Sequence, residues 1–430
     1  MDSINSFKGY GKVNPAEDRA FRRKTRLRLL LIAVSAAVLL LIVVGVGVGV
    51  VLSRRGDHDG SSPSTNPAST SMSDSIRAVC TVTRYPASCY SSLSSAASAG
   101  NATSVDPAGL FRLSLRVAMD ELSKVSSLPD ALSERLNDES AKGALRVCKE
   151  MLDDAVDQLN ASLGALLRPP SSSAAGAGER LLTASKVDDL KTWLSAAVTD
   201  QETCLDAFEG VAGGFRETVA AAMRNSTRFT SNSLAIVAGL LATLEQLDVP
   251  VHRKLLSAPG SGGIPAWATA THRRVLLQAG SAGVRPAPNV TVAQDGSGEV
   301  ATIGAAVAMV PKKSTAAFVI YVKEGTYKEN VILDKHRWNV VIYGDGMQKS
   351  VISGSLNFVE GTRTFYTATF GVDGRGFLAM DMGFENTAGA EKHQAVALRS
   401  KSDRSVFYRC AFDGHQDTLY AHSLRQFYRD

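Results

Sequence analysis

The densest polar cluster in the second half of this 430-residue chain is Gly414-His415-Gln416-Asp417-Thr418-Leu419-Tyr420, preceded by Lys392-His393-Gln394-Ala395-Val396-Ala397-Leu398. A carboxamide can donate to an oxyanion developing on an ester carbonyl, and a carboxylate beside it can move a proton. Gln394, Gln416 and Asp417 could therefore serve ester hydrolysis. Isolated Gln and Asp residues in turns more often cap or solvate loops. No Gly-x-Ser-x-Gly elbow occurs, which argues against a serine hydrolase. The five cysteines include no CxxC pair and no His at ligand spacing, so no metal site is expected.

The elements that must position these residues are short strands. Residues 317–322, 339–343, 364–372, 377–384, 394–398 and 405–412 run apolar or alternate, and Gly, Asn and Asp turns separate them. Beyond a helical stretch at 301–310 hardly a helix follows. A sandwich, a barrel and a β-solenoid all suit this pattern, and composition does not choose among them. Residues 74–248 read differently, as long helices joined by irregular loops in a bundle, with Trp193 and Phe208 expected in its core. Residues 249–285 read as an exposed linker. Its basic clusters, Arg253-Lys254-Leu255-Leu256 and Arg273-Arg274-Val275-Leu276, could be read by a processing protease or simply be solvated charge.

The N-terminal quarter carries the charge asymmetry. Residues 1–28 hold eight Lys and Arg against three Asp and Glu, which is the whole of the net charge of +5. The rest of the chain is balanced, so no nucleic-acid partner is expected. Residues 29–52 are an uncharged apolar run long enough to span a bilayer as a helix, and the basic flank before it puts the N-terminus in the cytosol. An uncleaved type II anchor is favoured over a cleaved signal peptide or a buried core helix, with residues 53–73 as a Ser/Pro/Gly-rich stalk. Asn101, Asn160, Asn225 and Asn289 head N-x-S/T sequons on the lumenal side of that anchor, consistent with glycosylation in the secretory pathway.

At the polar cluster the chain closely resembles the plant pectin methylesterases made with an N-terminal inhibitor-like pro-region. Gly325-Thr326-Tyr327-Lys328-Glu329 matches a GxYxE motif, residues 394–398 a QAVAL motif, and residues 416–419 a QDTL motif. The resemblance implies a right-handed parallel β-helix over residues 286–430. Residues 74–248 are similar to the pectin methylesterase inhibitors, through Ile76 to Cys80, Tyr85 to Cys89 and Ser231 to Leu234. That similarity implies a four-helix bundle with Cys80 bonded to Cys89 and Cys148 to Cys204, leaving Cys410 odd. The expected molecule is thus multidomain: a cytosolic tail, a transmembrane helix, a stalk, an all-α bundle, a linker and a partial β-helix.

The implied chemistry is hydrolysis of methyl esters on cell-wall homogalacturonan, without a cofactor and with the pro-region inhibiting in cis. Asp417 would be the acid and then the base, and Gln394 and Gln416 would hold the oxyanion. Tyr327, Glu329, Thr364 and Gln394 would contact pectin. Arg253-Lys254 and Arg273-Arg274 would be cut by a subtilisin-like protease, releasing the enzyme from a membrane-anchored precursor to the cell wall. The family's nucleophilic Asp, in a DFIFG-like motif, and its Arg, in an LGRPW-like motif, are not among these 430 residues, and Asp430 is not that nucleophile. The expectation is therefore little turnover by these residues alone. The alternative reading is an inactive chain that inhibits or binds esterases.

Overall fold

The computed structural model describes residues 71–99, 107–167, 184–246, 263–280 and 285–430. The first three segments form α1 (Met72–Cys80), α2 (Pro86–Ala99), α3 (Pro107–Val125), α4 (Leu128–Ser133), α5 (Glu139–Leu167), α6 (Ala184–Asp206) and α7 (Phe215–Gln246). Helix starts follow local chemistry. Ser71 Oγ accepts from Asp74 N at 3.2 Å ahead of α1, and proline opens α2 and α3, where a missing N–H costs nothing. Helix α3 buries Phe111, Leu115, Ala118 and Leu122, and α5 buries Leu145, Cys148, Leu152, Ala155 and Leu159; both sets follow the helical repeat. Gln201 of α6 donates to Thr230 Oγ1 at 3.3 Å and accepts from Ser226 and Thr227, each at 3.0 Å, so the α6–α7 seam has a satisfied polar centre. Disulfides join Cys80 to Cys89 and Cys148 to Cys204.

The last segment coils. After β1 (Val290–Val292) and α9 (Ile303–Met309) come β2 (Phe318–Val322), β3 (Gly325–Lys328), β4 (Val331–Leu333), β5 (Val340–Gly344), β6 (Ser350–Gly354), β7 (Phe370–Val372), β8 (Leu378–Met380), β9 (Gly383–Asn386), β10 (Leu398–Ser400), β11 (Ser405–Tyr408), β12 (Ala411–Asp413), β13 (Leu419–Ala421) and β14 (Gln426–Arg429). They pair in three sheets, ordered β1-β2-β5-β8-β11-β14, β4-β7-β10-β13 and β3-β6-β9-β12. Every pair is parallel, with Val341 beside Leu378 and Leu378 beside Val406 in successive coils. This is the stacked arrangement of a partial β-helix, and it resolves the choice that composition left open. Phe370, Phe377, Phe384, Phe407, Phe412 and Tyr428 fill its interior as ring neighbours 4.9–5.8 Å apart. Gly374 is required by packing, because a Cβ there would lie 1.8 Å from the Arg337 carbonyl oxygen.

Three expectations change. Among the described residues no helix is long and apolar enough to cross a membrane, and the run expected to do so, residues 29–52, lies outside them. The long helices that are described carry charge at helical spacing, as at Lys142, Arg146, Lys149, Asp153 and Asp157 of α5, which a bilayer core would not accept. Nothing in the described residues supports the expected transmembrane helix, the membrane as a partner or the type II anchored location. Part of the expected exposed linker is instead helical: α8 (Ala270–Gly280) lies on the first sheet, because Val275 and Leu276, with Ile264 and Ala268 just before the helix, present an apolar face to it. Finally, Phe208 is in the bundle core, but Trp193 is half-buried and lines clefts with Arg375 and Asp403 of the β-helix.

Candidate active site

The two motifs come together because they occupy successive coils. Gln394 and Gln416 form a parallel bridge, Ala395 N donates to Gln416 O at 3.1 Å and Ala397 N to Thr418 O at 3.0 Å, and Leu398 pairs with Leu419. Both glutamines therefore sit at the same station of the coil. Asp417 follows with φ +62°, a left-handed conformation that Asp and Asn tolerate better than most residues. The turn holding it is fixed by Thr418 Oγ1, which donates to His415 O at 3.0 Å.

Gln394 and Asp417 line one cavity of ≈ 320 Å³, together with Phe358, Thr364, Leu419 and Tyr420. Gln394 Oε1 is buried with no hydrogen-bond partner among the described residues. A half-turn of that amide would present Nε2, a donor, at the same point. The opposite wall is the bundle, through Val147, Thr203, Asp206, Ala207 and Glu209. Arg363 ties the walls: its guanidinium donates to Glu209 O at 2.9 Å and Ser140 O at 3.2 Å. Beside it Phe365 enters the bundle core, 3% exposed, and Tyr366 Oη donates to Glu150 Oε2 at 2.8 Å.

Behind the cavity lies a charged layer that sequence reasoning missed. Lys401 is buried between Asp154, which accepts its hydrogen bond, and Asp200, 3.5 Å away. Burial would raise both carboxyls. At Asp154 the ammonium groups of Lys401 and Lys335 outweigh it and hold the group below the usual carboxylate range, whereas at Asp200 burial prevails and pushes the group up to about 7. Arg399, fully buried, pairs with Asp373 at 2.7 Å and lies 3.8 Å from the Phe365 ring centre. His422 Nε2 is 2.9 Å from Thr203 Oγ1, and burial, with Lys401 and Arg399 nearby, drives its imidazole down to about 2. The only local signal was the alternation of Arg399 and Lys401 with serines in a strand texture, which specifies neither partner.

Other expected site residues lie elsewhere. Tyr327 is 1% exposed, with its hydroxyl donating to Lys323 O at 3.0 Å and lying 3.3 Å from Val292 O inside the β-helix. Glu329 accepts from Ile303 N and Gly304 N at 2.8 and 2.9 Å, capping α9. Neither lines the cavity, and both help to build the coil. Thr364 does line it. Asn160 and Asn225 are exposed on α5 and α7 and Asn289 is exposed just before β1. Asn101, Arg253 and Lys254 lie outside the described residues. Cys410 is half-buried, and burial raises its thiol to about 12.

The Pectinesterase family matches residues 289–430, and the Plant invertase/pectin methylesterase inhibitor family matches residues 74–236. Pectinesterase 1 of Arabidopsis thaliana is 52% identical over 442 residues, taking in 100% of this chain and 72% of its own length. The chain belongs to the pectinesterase family. Pectinesterase 3 of Phaseolus vulgaris is also 52% identical, over 435 residues covering 100% of this chain and 71% of its own. Among solved structures, the pectin methylesterase from carrot is 50% identical over 34% of this chain and 46% of its own, at a TM-score of 0.33. By family this pectinesterase chain is a carboxylic ester hydrolase preceded by an inhibitor-like region.

Proposed function

We propose that this chain contributes the oxyanion-holding and proton-transferring side of a pectinesterase site, hydrolysing methyl esters of homogalacturonan to methanol and free carboxylates. The observation that carries the reading is the backbone pairing of Gln394 with Gln416, which sets Gln394 and Asp417 in the wall of one cavity. As the ester carbonyl becomes tetrahedral, charge collects on its oxygen, and the two carboxamides donate to it. Asp417 passes a proton to the departing methanol oxygen and then takes one from the incoming water, so one group serves both half-reactions. The attacking carboxylate is assigned to the family's DFIFG-like motif, which is not among these 430 residues. In this reading the inhibitor-like region spans 74–248 and the esterase-like region 286–430.

The bundle wall supports inhibition in cis. Thr203, Asp206 and Glu209 stand across the cavity from Asp417, where a galacturonan chain would have to lie. The test is methanol release from methyl-esterified pectin by a polypeptide carrying the whole esterase region of the family, with and without residues 74–248. Removal of the bundle should raise turnover at least about tenfold. Equal rates would overturn the inhibitory reading while leaving the site assignment to be judged by Asp417→Asn, which should lower kcat by roughly 10²- to 10⁴-fold.

A further inference from the structure

The run Arg273-Arg274-Val275-Leu276 is the middle of α8, not an open loop. Val275 and Leu276 are 3% and 6% exposed and join Ile264, Ala268 and Trp267 against Val319, Val341, Leu378, Met380 and Val406 of the first sheet. Arg273 is engaged by the chain itself: its Nη2 donates to Pro265 O at 2.9 Å and Ala266 O at 3.1 Å, and its Nε to Ala268 O at 3.2 Å. Of the four residues in the run, only Arg274 faces solvent. His272, 1% exposed, sets its Nε2 3.1 Å from Gly376 O.

A protease that reads a basic pair needs the scissile segment extended in its cleft, with side chains on both sides of the bond in its own pockets. Here the bond after Arg274 is helical, and the two residues that would follow the cut are buried in an apolar contact. We propose that α8 is a strap that keeps the Arg273-Arg274 site closed, and that cleavage after Arg274 occurs only from a state in which residues 263–280 have peeled from the sheet. Such local opening costs less than global unfolding, because the strap contacts one sheet face and leaves the interior aromatic stack untouched. The inference rests on the dibasic segment being a processing site, but a probe protease tests the closed conformation whether or not a cell uses it. Processing would then depend on the strap's grip as much as on the presence of the basic pair.

The experiment treats the folded full chain with trypsin and follows the cut after Arg274 by peptide mass mapping, beside a free peptide of residues 263–284 as the unprotected reference. The folded chain should be cut at least about 100-fold more slowly than the peptide. Ile264→Ser and Trp267→Ser, upstream of the residues a protease reads, should each speed the cut about tenfold with global melting unchanged. Cutting within about threefold of the peptide rate would overturn the proposal. Should a variant melt globally, amide hydrogen exchange in the unaltered protein decides the matter: slow exchange at residues 275–277 supports the strap, and exchange at the free-peptide rate overturns it.

Discussion

Asp417 occupies a backbone position that narrows the useful substitutions. At φ +62° an Asn is tolerated and a β-branched residue is strained, so Asp417→Asn isolates proton transfer whereas Asp417→Val would also disturb the turn. Gln394→Ala should cost roughly 10²- to 10³-fold in kcat, the usual effect of losing one oxyanion donor, in methanol-release kinetics on the whole esterase region; an unchanged kcat would remove Gln394 from the site. The buried ionisable groups make opposite pH predictions. Asp200, raised to about 7 by burial, holds its proton more tightly in the fold than in the unfolded chain. Its contribution is full below the ordinary carboxylate range, near pH 4, and is lost as pH rises through about 7. His422, lowered to about 2, excludes its proton in the fold, so its contribution is full above about pH 6.5 and is lost as pH falls. Asp200→Asn removes the first effect alone. Relative to the unaltered protein, its melting temperature should therefore climb between pH 4 and 7, and a difference flat in pH would refute the assignment.

At the scale of elements, the two disulfides differ in what they hold. Cys80–Cys89 closes the α1–α2 hairpin across a separation of 9 residues, and Cys148–Cys204 joins α5 to α6 across 56. If the stabilisation comes from restricting the unfolded chain, the short loop is worth about 3 kcal/mol and the long one about 4 kcal/mol. Replacing Cys148 and Cys204 together by Ala should thus lower the bundle's melting temperature more than the same change at Cys80 and Cys89, as read by calorimetry. The reverse order would mean that native-state packing dominates. Helix α8 illustrates a different point: its apolar face fits sheet side chains from Val319 onward, so a stretch that reads as linker becomes part of a core.

Across the whole described molecule, charge complementarity joins bundle to β-helix. Acids come from α5 and α6, at Glu150, Asp154, Asp157, Asp189 and Asp200. Bases come from the coils, at Lys335, Arg399, Lys401, Arg404 and Arg425, with Arg425 2.6 Å from Asp189. Exposed pairs in this set, such as Lys335 with Asp157, should fade in salt. The buried Lys401 cluster should not. Truncation by Lys401→Ala leaves the Asp154 carboxylate and the buried Asp200 carboxyl without their common cation and should cost about 3–5 kcal/mol, whereas the triple replacement by apolar residues of similar size should recover most of it. Denaturant melts of the two variants check this, and a neutral Lys401→Ala would show that the interface does not depend on the cluster.

The amino-acid sequence by itself determined the helical character of the described residues within 74–248, the β texture after residue 288, the residues of the two motifs and, through their resemblance, the family. These are legible because helix period, strand alternation and motif spacing are properties of neighbouring residues. It did not determine that Gln394 would lie beside Gln416, that Tyr327 and Glu329 would serve coil packing and a helix cap, that Trp193 would face a cleft, or that Lys401 would reach Asp154 and Asp200. Each of those depends on which coil stacks on which and on how the bundle wall closes over the cavity. Partners separated by up to 247 residues are brought together by burial of whole surfaces, which no local pattern encodes.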